Sequence, residues 1–251
     1  DNAPSGASDV FVAKVNRSGA LDTSFANNGI LKFSASEKTR IRLRHLSVNA
    51  DDKIVIAGEK FIYPESFTEP GKNLTYINRY NSDGSFDTNF SNGGKYERRD
   101  DSVLVRTMSS DSSNALYTAG IKGVPVNGEF ILGKYDLSVP GVDTSFAVSG
   151  FKKPSSEISQ ITHKVLSTTH TATATDMRYL KIQEDGSIFG AGALYYSGSR
   201  GSFIAKIKAD GTFDTSFDSD GVMTFGAKFT ALDVFENNKS VLAYSAGLSI
   251  R

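Results

Sequence analysis

The chain contains no cysteine, which excludes a disulfide framework, a thiolate metal centre and a cysteine nucleophile. It has no net charge either. With 28 basic against 28 acidic side chains, nothing global draws it to nucleic acid or to an anionic membrane. No apolar run approaches the ~18 residues of a membrane-spanning helix, so membrane insertion is not expected. Long stretches of 3.6-residue apolar period are missing too, and helix content should be very low. The start, DNAPSGASD, has neither an initiator methionine nor the apolar core of a signal peptide. The expectation is a processed chain or a domain of a larger protein. At 251 residues it is long enough to bury a substantial core, as one large β domain or two small ones.

What the chain does contain is a repeat. The segments FVAKVNRSGALDTSFANNGI (11–30), YINRYNSDGSFDTNFSNGGK (76–95), FILGKYDLSVPGVDTSFAVSG (130–150) and FIAKIKADGTFDTSFDSDGV (203–222) share an apolar strand, a turn, Asp-Thr-Ser/Asn-Phe and a glycine. Their aspartates, Asp22, Asp87, Asp143 and Asp214, recur at roughly 60-residue intervals. A second mark alternates with the first, an apolar run ending in Ala-Gly: Ala57-Gly58, Ala119-Gly120, Ala191-Gly192 and Ala246-Gly247. Running off the C-terminus and back onto the N-terminus gives an interval of the same size, so the pattern closes on itself. A solenoid needs end caps, whereas each of these ends carries half of one repeat.

The expected architecture is therefore all-β, a closed four-bladed propeller forming one domain over 1–251, with about four antiparallel strands per blade. The blades span approximately 35–98, 99–154 and 155–225, and the last combines 226–251 with 1–34, completed by both chain ends. With the strands of a blade lettered a to d from the inside, the first blade uses about 41–48, 53–58, 74–81 and 92–98. The second uses about 102–109, 114–120, 130–136 and 149–154, and the third about 176–183, 187–192, 202–208 and 221–225. The fourth takes 228–235, 240–246, 9–16 and 29–34. Ile54-Val55-Ile56 and Val241-Leu242-Ala243 are apolar at consecutive positions, as in strands covered on both faces. Strand c alternates, with Phe203, Ala205 and Ile207 against Ile204, Lys206 and Lys208, which suits one wetter face near the rim.

The turn Asp-Gly-Ser/Thr-Phe-Asp-Thr-Ser/Asn-Phe resembles the delta-60 repeat, a bacterial propeller-type family of uncertain function. Four copies carry the resemblance over nearly the whole chain, most fully in the first and third blades; Ser18-Gly19 and Val139-Pro140-Gly141 replace Asp-Gly in the others. The resemblance implies export to the cell surface or medium, because members are typically parts of large secreted proteins. It brings no catalytic residue with it.

The turn has its own chemistry. Its aspartate can accept bonds from turn N–H groups, its hydroxyls can satisfy nearby carbonyls, and Phe25, Phe90, Phe146 and Phe217 can wedge between blades. The loop from Asn81 through Asp83 to Asp87 also resembles the oxygen-rich loops that hold calcium. Lys208 and Ser18 break that ligand set in other copies, so one weak calcium site is the most the pattern supports, and no other cofactor is expected. The Ala-Gly marks precede no helix and lack the Gly-x-x-x-x-Gly-Lys spacing of a phosphate loop, which leaves close strand packing as their reason. His45, His163 and His170 form no metal-binding pair. There is no Gly-x-Ser-x-Gly elbow, and Asp51-Asp52 and Asp100-Asp101 fall at strand or turn ends. No catalytic residue and no metal ligand is assigned, and no enzyme is expected.

Departures from the repeat point to a site, since insertions are not needed by the framework. The b to c connection of the first blade (59–73) carries Phe61, Tyr63 and Phe67. The d to a connection of the third (154–175) adds a Ser/Thr-rich excursion with His163, Lys164 and His170. The third blade's b to c segment, Leu194 to Arg200, adds Tyr195, Tyr196 and Arg200. In an up-and-down blade these connections leave from one face. The expected ligand-binding set is Tyr63, Phe67, Tyr195, Tyr196, Arg200 and His163, because aromatic faces beside short polar side chains suit stacking on sugar rings or anchoring of peptides. Arg40, Arg42 and Arg44, with Arg98 and Arg99, form short basic runs that favour an anionic group if they line the channel. The reading is a binding or adhesion module for a glycan or cell-surface polymer. A protein-interaction propeller, a structural spacer and a polysaccharide hydrolase or lyase are the alternatives. The sequence sets no oligomeric state.

Overall fold

Short runs rich in β-branched and aromatic residues, broken by Asn, Asp and Gly, fold as antiparallel sheets joined by tight turns. The structure, a computed structural model, describes residues 9–34, 38–66, 68–99, 103–123, 128–138, 141–147, 151–152, 162–165, 168–171, 174–196, 199–226, 228–234 and 240–245. No helix occurs among them. A pair of strands, β1 (Asp9–Ala13) and β2 (Ile30–Ser34), precedes a four-stranded sheet in chain order: β3 (Thr39–Val48), β4 (Ile54–Ile62), β5 (Lys72–Tyr80) and β6 (Lys95–Arg99). The next sheet holds β7 (Val103–Ser110), β8 (Ala115–Lys122) and β9 (Glu129–Asp136); the two-residue β10 (Gly141–Val142) comes next in sequence, and β11 (Phe151–Lys152) pairs with β9. A hairpin of β12 (Thr162–Val165) and β13 (Thr168–Thr171) leads to a second four-stranded sheet in chain order, β14 (Ala174–Ile182), β15 (Ile188–Tyr196), β16 (Ser199–Ile207) and β17 (Val222–Phe225). The last pair is β18 (Lys228–Val234) with β19 (Ser240–Ser245).

Each expected strand is present, and the differences lie at the ends. β4 and β15 run past their Ala-Gly marks to Ile62 and Tyr196. The segment 194–200, expected as a loop, is strand on both sides of residues 197–198. The reason is the two-residue period: Leu194 and Tyr196 both turn inward and are buried, so the hairpin continues to its tip. The excursion at 154–175 likewise contains a hairpin, with Thr162 opposite Thr171 and His163 opposite His170.

Packing divides the chain into two compact units, residues 1–102 with 137–141, and residues 103–136 with 142–251. The core of the first gathers Val12, Phe25, Ile54, Ile56, Tyr76 and Tyr80. In the second unit β14 packs against β7, β8 and β9 and also meets β18, and Phe130 stacks on Phe203 with ring centroids 5.6 Å apart. Strand b is central in each large sheet, and Val55 and Ile56 are fully buried as their consecutive apolar run requires. Strand c is drier than its alternation suggests. Phe203, Ile204, Ala205 and Ile207 are all fully buried, and Lys206 is half-buried because its ammonium folds onto Asp214 at 2.9 Å.

One backbone device explains the Ala-Gly mark. Strand a of each large sheet bulges at an arginine: the register to strand b slips between Leu43 and His45, between Val105 and Thr107, and between Met177 and Tyr179. The residues opposite are Gly58 and Ala57, Gly120 and Ala119, Gly192 and Ala191. A Cβ on Gly58, Gly120 or Gly192 would fall 1.9, 2.0 and 2.0 Å from the carbonyl oxygens of Arg42, Leu104 and Asp176. Only glycine admits that approach. In the last pair the slip lies between Phe229 and Ala231, opposite Tyr244 and Ala243. The fourth mark therefore stands at Ala243-Tyr244 rather than at Ala246-Gly247, which lies outside the described residues.

Candidate functional site

Each sheet has two ends of different chemistry. At one end the c to d connection carries the Asp-Thr-Ser-Phe turn, and its bonds recur from copy to copy. The aspartate N–H donates back to strand c, from Asp22 to Lys14 O, Asp87 to Arg79 O, Asp143 to Lys134 O and Asp214 to Lys206 O, at 2.8 to 3.0 Å. Its carboxylate pairs with the side chain of that same strand residue: Lys14 at 3.1 Å, Arg79 at 2.8 Å, Lys134 at 3.1 Å and Lys206 at 2.9 Å. The hydroxyls of Ser24, Ser145 and Ser216 donate to the aspartate at 2.5, 2.5 and 2.6 Å, so they serve the acid and not, as expected, neighbouring carbonyls. The serine hydroxyl first, and the lysine after it, hold Asp22, Asp143 and Asp214 below the usual carboxylate range. Asp214 is drawn down to about 2.

The phenylalanine of the turn is a core anchor. Phe25, Phe90 and Phe146 are buried, while Phe217 is half-buried and meets Phe189 edge-on. The residue after it takes a left-handed backbone, with φ of 47° at Ala26 and 51° at Ala147. That turns its N–H onto the next copy: Ala26 N–H donates to Asp83 O at 2.7 Å, and Ala147 N–H to Asp210 O at 2.9 Å. Gly84 and Gly211 follow those carbonyls, and a Cβ there would sit 2.8 and 2.7 Å from the Cβ of Ala26 and Ala147. Neighbouring sheets are thus latched turn to turn within each unit.

These bonds leave calcium little to bind. Asp87 is engaged by Arg79 and by Lys53 at 3.6 Å, Asn81 Oδ1 accepts from Lys53 at 2.7 Å, and Asp83 accepts from the N–H and hydroxyl of Ser85. A cation at this loop would meet two cationic side chains already on its oxygens. Among the described residues no three His, Asp or Glu side chains gather around one point.

The other end of the sheet β14–β17 is built differently. Ala174 at the start of β14 lies opposite Tyr195, and Tyr195 lies opposite Arg200. Arg200 is exposed and its guanidinium stands 5.5 Å from the centre of the half-buried Tyr195 ring. The Tyr195 hydroxyl accepts from Arg178 Nη2 at 2.8 Å. Arg178 is the bulge residue of β14, and a bulge re-aims its side chain. Its Nε donates to Asp176 Oδ2 at 3.0 Å, and Nε of Arg106, the bulge residue of β7, donates to Asp176 Oδ1 at 3.2 Å. Asp176 is 0% exposed, whereas the side chains of Arg106 and Arg178 keep 32% and 36% of theirs. The result is a rigid corner in which a buried carboxylate fixes two half-exposed guanidiniums beside an oriented phenol.

The expected residues are placed as follows. Tyr195 and Arg200 come together. Tyr196, one residue on, points the other way into the core beside Phe203, and burial pushes its phenol up to about 12; it presents no ring for a ligand. His163 lies in β12, joined to Ala174 through the short excursion hairpin. Tyr63 belongs to the first unit, where it is half-buried and edge-on to Phe61 at 4.9 Å, and its N–H donates to Lys38 O. Phe61 itself covers Gly71, and Lys38 pairs with Glu65, so these aromatics close their own loop. Phe67 lies outside the described residues. In the basic runs, Arg44 pairs with Glu59 at 2.7 Å and Arg40 stands over Phe61. Asp176, Arg178 and Arg106 are not among the expected residues; the signal for them is an arginine at one repeat position, in RLRHL, VLVRTM and DMRYL.

Comparison with known proteins agrees with this repeat pattern. Residues 66–90 and 183–217 match the family described as a domain of unknown function, DUF5122 beta-propeller. The first segment ends at Phe90 and the second at Phe217, so each takes in strand c and the Asp-Thr-Ser/Asn-Phe turn. No curated protein and no solved structure matches the chain. Over its described residues the chain is all-β, and two of its segments match a repeat of the β-propeller type.

Proposed function

We propose that the chain is a non-enzymatic binding module of a secreted or cell-surface bacterial protein, an adhesin-type propeller that recognises a glycan or surface polymer at the Tyr195 corner. One observation carries the reading. The Tyr195 ring is held by Arg178 at its hydroxyl and by Arg200 over its face, whereas the matching bulge arginines Arg44 and Arg106 pair with Glu59 and Asp176. A fixed aromatic ring with flanking donors suits sugar recognition, since it joins apolar area to orienting hydrogen bonds at little conformational cost.

The scaffold in this proposal is a closed four-bladed propeller whose last blade joins β18 and β19 to β1 and β2. Two features support it. β1 and β2 flank a complete copy of the c to d turn, and β18 and β19 carry the bulge that marks strands a and b elsewhere. Together they supply one blade's worth of parts. Closure also gives β1 a partner on its second edge, which isolated sheets leave open to aggregation.

Binding of the purified chain to a broad glycan array tests the function. The expected result is a reproducible saccharide hit that weakens in Tyr195→Ala. A blank array from a chain shown to be folded would sink the glycan reading and leave a protein partner or a spacer.

A further inference from the structure

We infer that the ligand of the Tyr195 corner is an acidic glycan, whose carboxylate is received by Arg106, Arg178 and Arg200 around the buried Asp176. This rests on the binding reading above and narrows it. The ground is a cluster of three arginines around one carboxylate and one phenol, drawn from two sheets. Of the four turn aspartates, Asp22, Asp143 and Asp214 each pair with one lysine, Asp87 takes Arg79 of β5 and Lys53 just before β4 of the same sheet, and Glu59 pairs with one arginine, Arg44. At the corner a single carboxylate stands against two guanidiniums, and Arg200 on Tyr195 adds a third. Among the described residues no second carboxylate pairs with any of the three.

Geometry supports an incoming anion. Arg106 bonds Asp176 through Nε alone, and the two terminal nitrogens of a guanidinium can take a carboxylate in two parallel bonds. Arg178 is already fixed by Asp176 and by Tyr195, so little side-chain freedom is lost when it binds. The bulges of β7 and β14, a device shared by every large sheet, set both arginines out of the ordinary alternation. The half-buried Tyr195 ring, under Arg200, adds apolar area to the corner.

The test is calorimetric titration with oligogalacturonate, its fully methyl-esterified counterpart and sulfated dextran, after the unfolding midpoint of each variant has been measured. Oligogalacturonate is expected to bind at least tenfold tighter than the ester and than sulfated dextran, and to lose at least tenfold in Arg200→Ala and in Arg106→Gln. Arg200→Glu should lose more than Arg200→Ala while unfolding at the same midpoint, which keeps the test valid if Arg106→Gln folds poorly. Equal binding of acid and ester, tighter binding of sulfated dextran, or unchanged affinity in Arg200→Glu would overturn the inference and leave a glycan site standing. Failure of every saccharide, neutral or acidic, would overturn both.

Discussion

The Asp-Thr-Ser-Phe turn and the Tyr195 corner both hold an aspartate against basic side chains, and they do so in opposite ways. The turn is made four times, each aspartate pairing with the basic side chain of its own strand c, and only Asp87 takes a second cation, Lys53 of the same sheet. The corner is made once, from two different sheets, with more cations than its aspartate can neutralise. A charge pair repeated in every copy belongs to what each copy needs in order to fold. A three-arginine cluster drawn from two sheets in one copy goes beyond what each copy needs in order to fold, and a buried charge shared between two partners adds little net stability over an apolar replacement. The contrast separates frame from site.

That contrast can be broken in several places. The largest effect should come from removing residues 228–251: a closed ring would then present β1 as an open edge, and soluble monomer should be lost to aggregation on size exclusion. Retention of a well-folded monomer would argue that the ring is not closed by these strands. Next comes the bulge. Gly192→Val forces a Cβ against the Asp176 carbonyl oxygen and should cost more than about 3 kcal/mol in denaturant unfolding, or prevent folding. Phe146→Ala, a 1% exposed anchor, should cost roughly 3–5 kcal/mol. Gly211→Ala meets both a φ of 86° and the Ala147 Cβ, and should cost ~1 kcal/mol or more.

Smaller effects sharpen the distinction. The folded-state pKa of Asp214 is depressed to about 2, so its contribution is fully present above the ordinary carboxylate pKa and is lost as pH falls through the folded value. Unfolding midpoints should therefore decline between about pH 4 and pH 2, and the decline should flatten in a Lys206→Met, Ser216→Ala double variant. Smallest of all on stability should be Arg200→Ala, an exposed residue off the framework, within about 0.5 kcal/mol of the parent; a larger loss would move Arg200 into the frame.

The frame is legible in the sequence because its causes are local. The turn aspartate lies eight residues after its lysine or arginine in Lys14 and Asp22, Arg79 and Asp87, Lys206 and Asp214, and glycine marks a backbone contact within one hairpin. The corner is only half legible. Tyr195 and Arg200 sit on one hairpin and could be named, whereas Arg106 and Asp176 are 70 residues apart and meet only through the packing of β7 on β14. Tyr196 shows the cost of reading a strand as a loop: alternation with Leu194 sends it into the core. The fourth Ala-Gly mark fails for a related reason, since register is fixed by pairing and a similar dipeptide three residues on imitates it.

The most direct test of this separation is a saccharide titration run in parallel on Tyr195→Ala and Lys134→Met, with unfolding curves for both. Lys134→Met removes a framework partner of Asp143, and it should lower the unfolding midpoint while leaving affinity unchanged. Tyr195→Ala should abolish binding of the array's best saccharide while the midpoint barely moves. If instead affinity follows the midpoint in both variants, the corner is part of the frame and the ligand lies elsewhere.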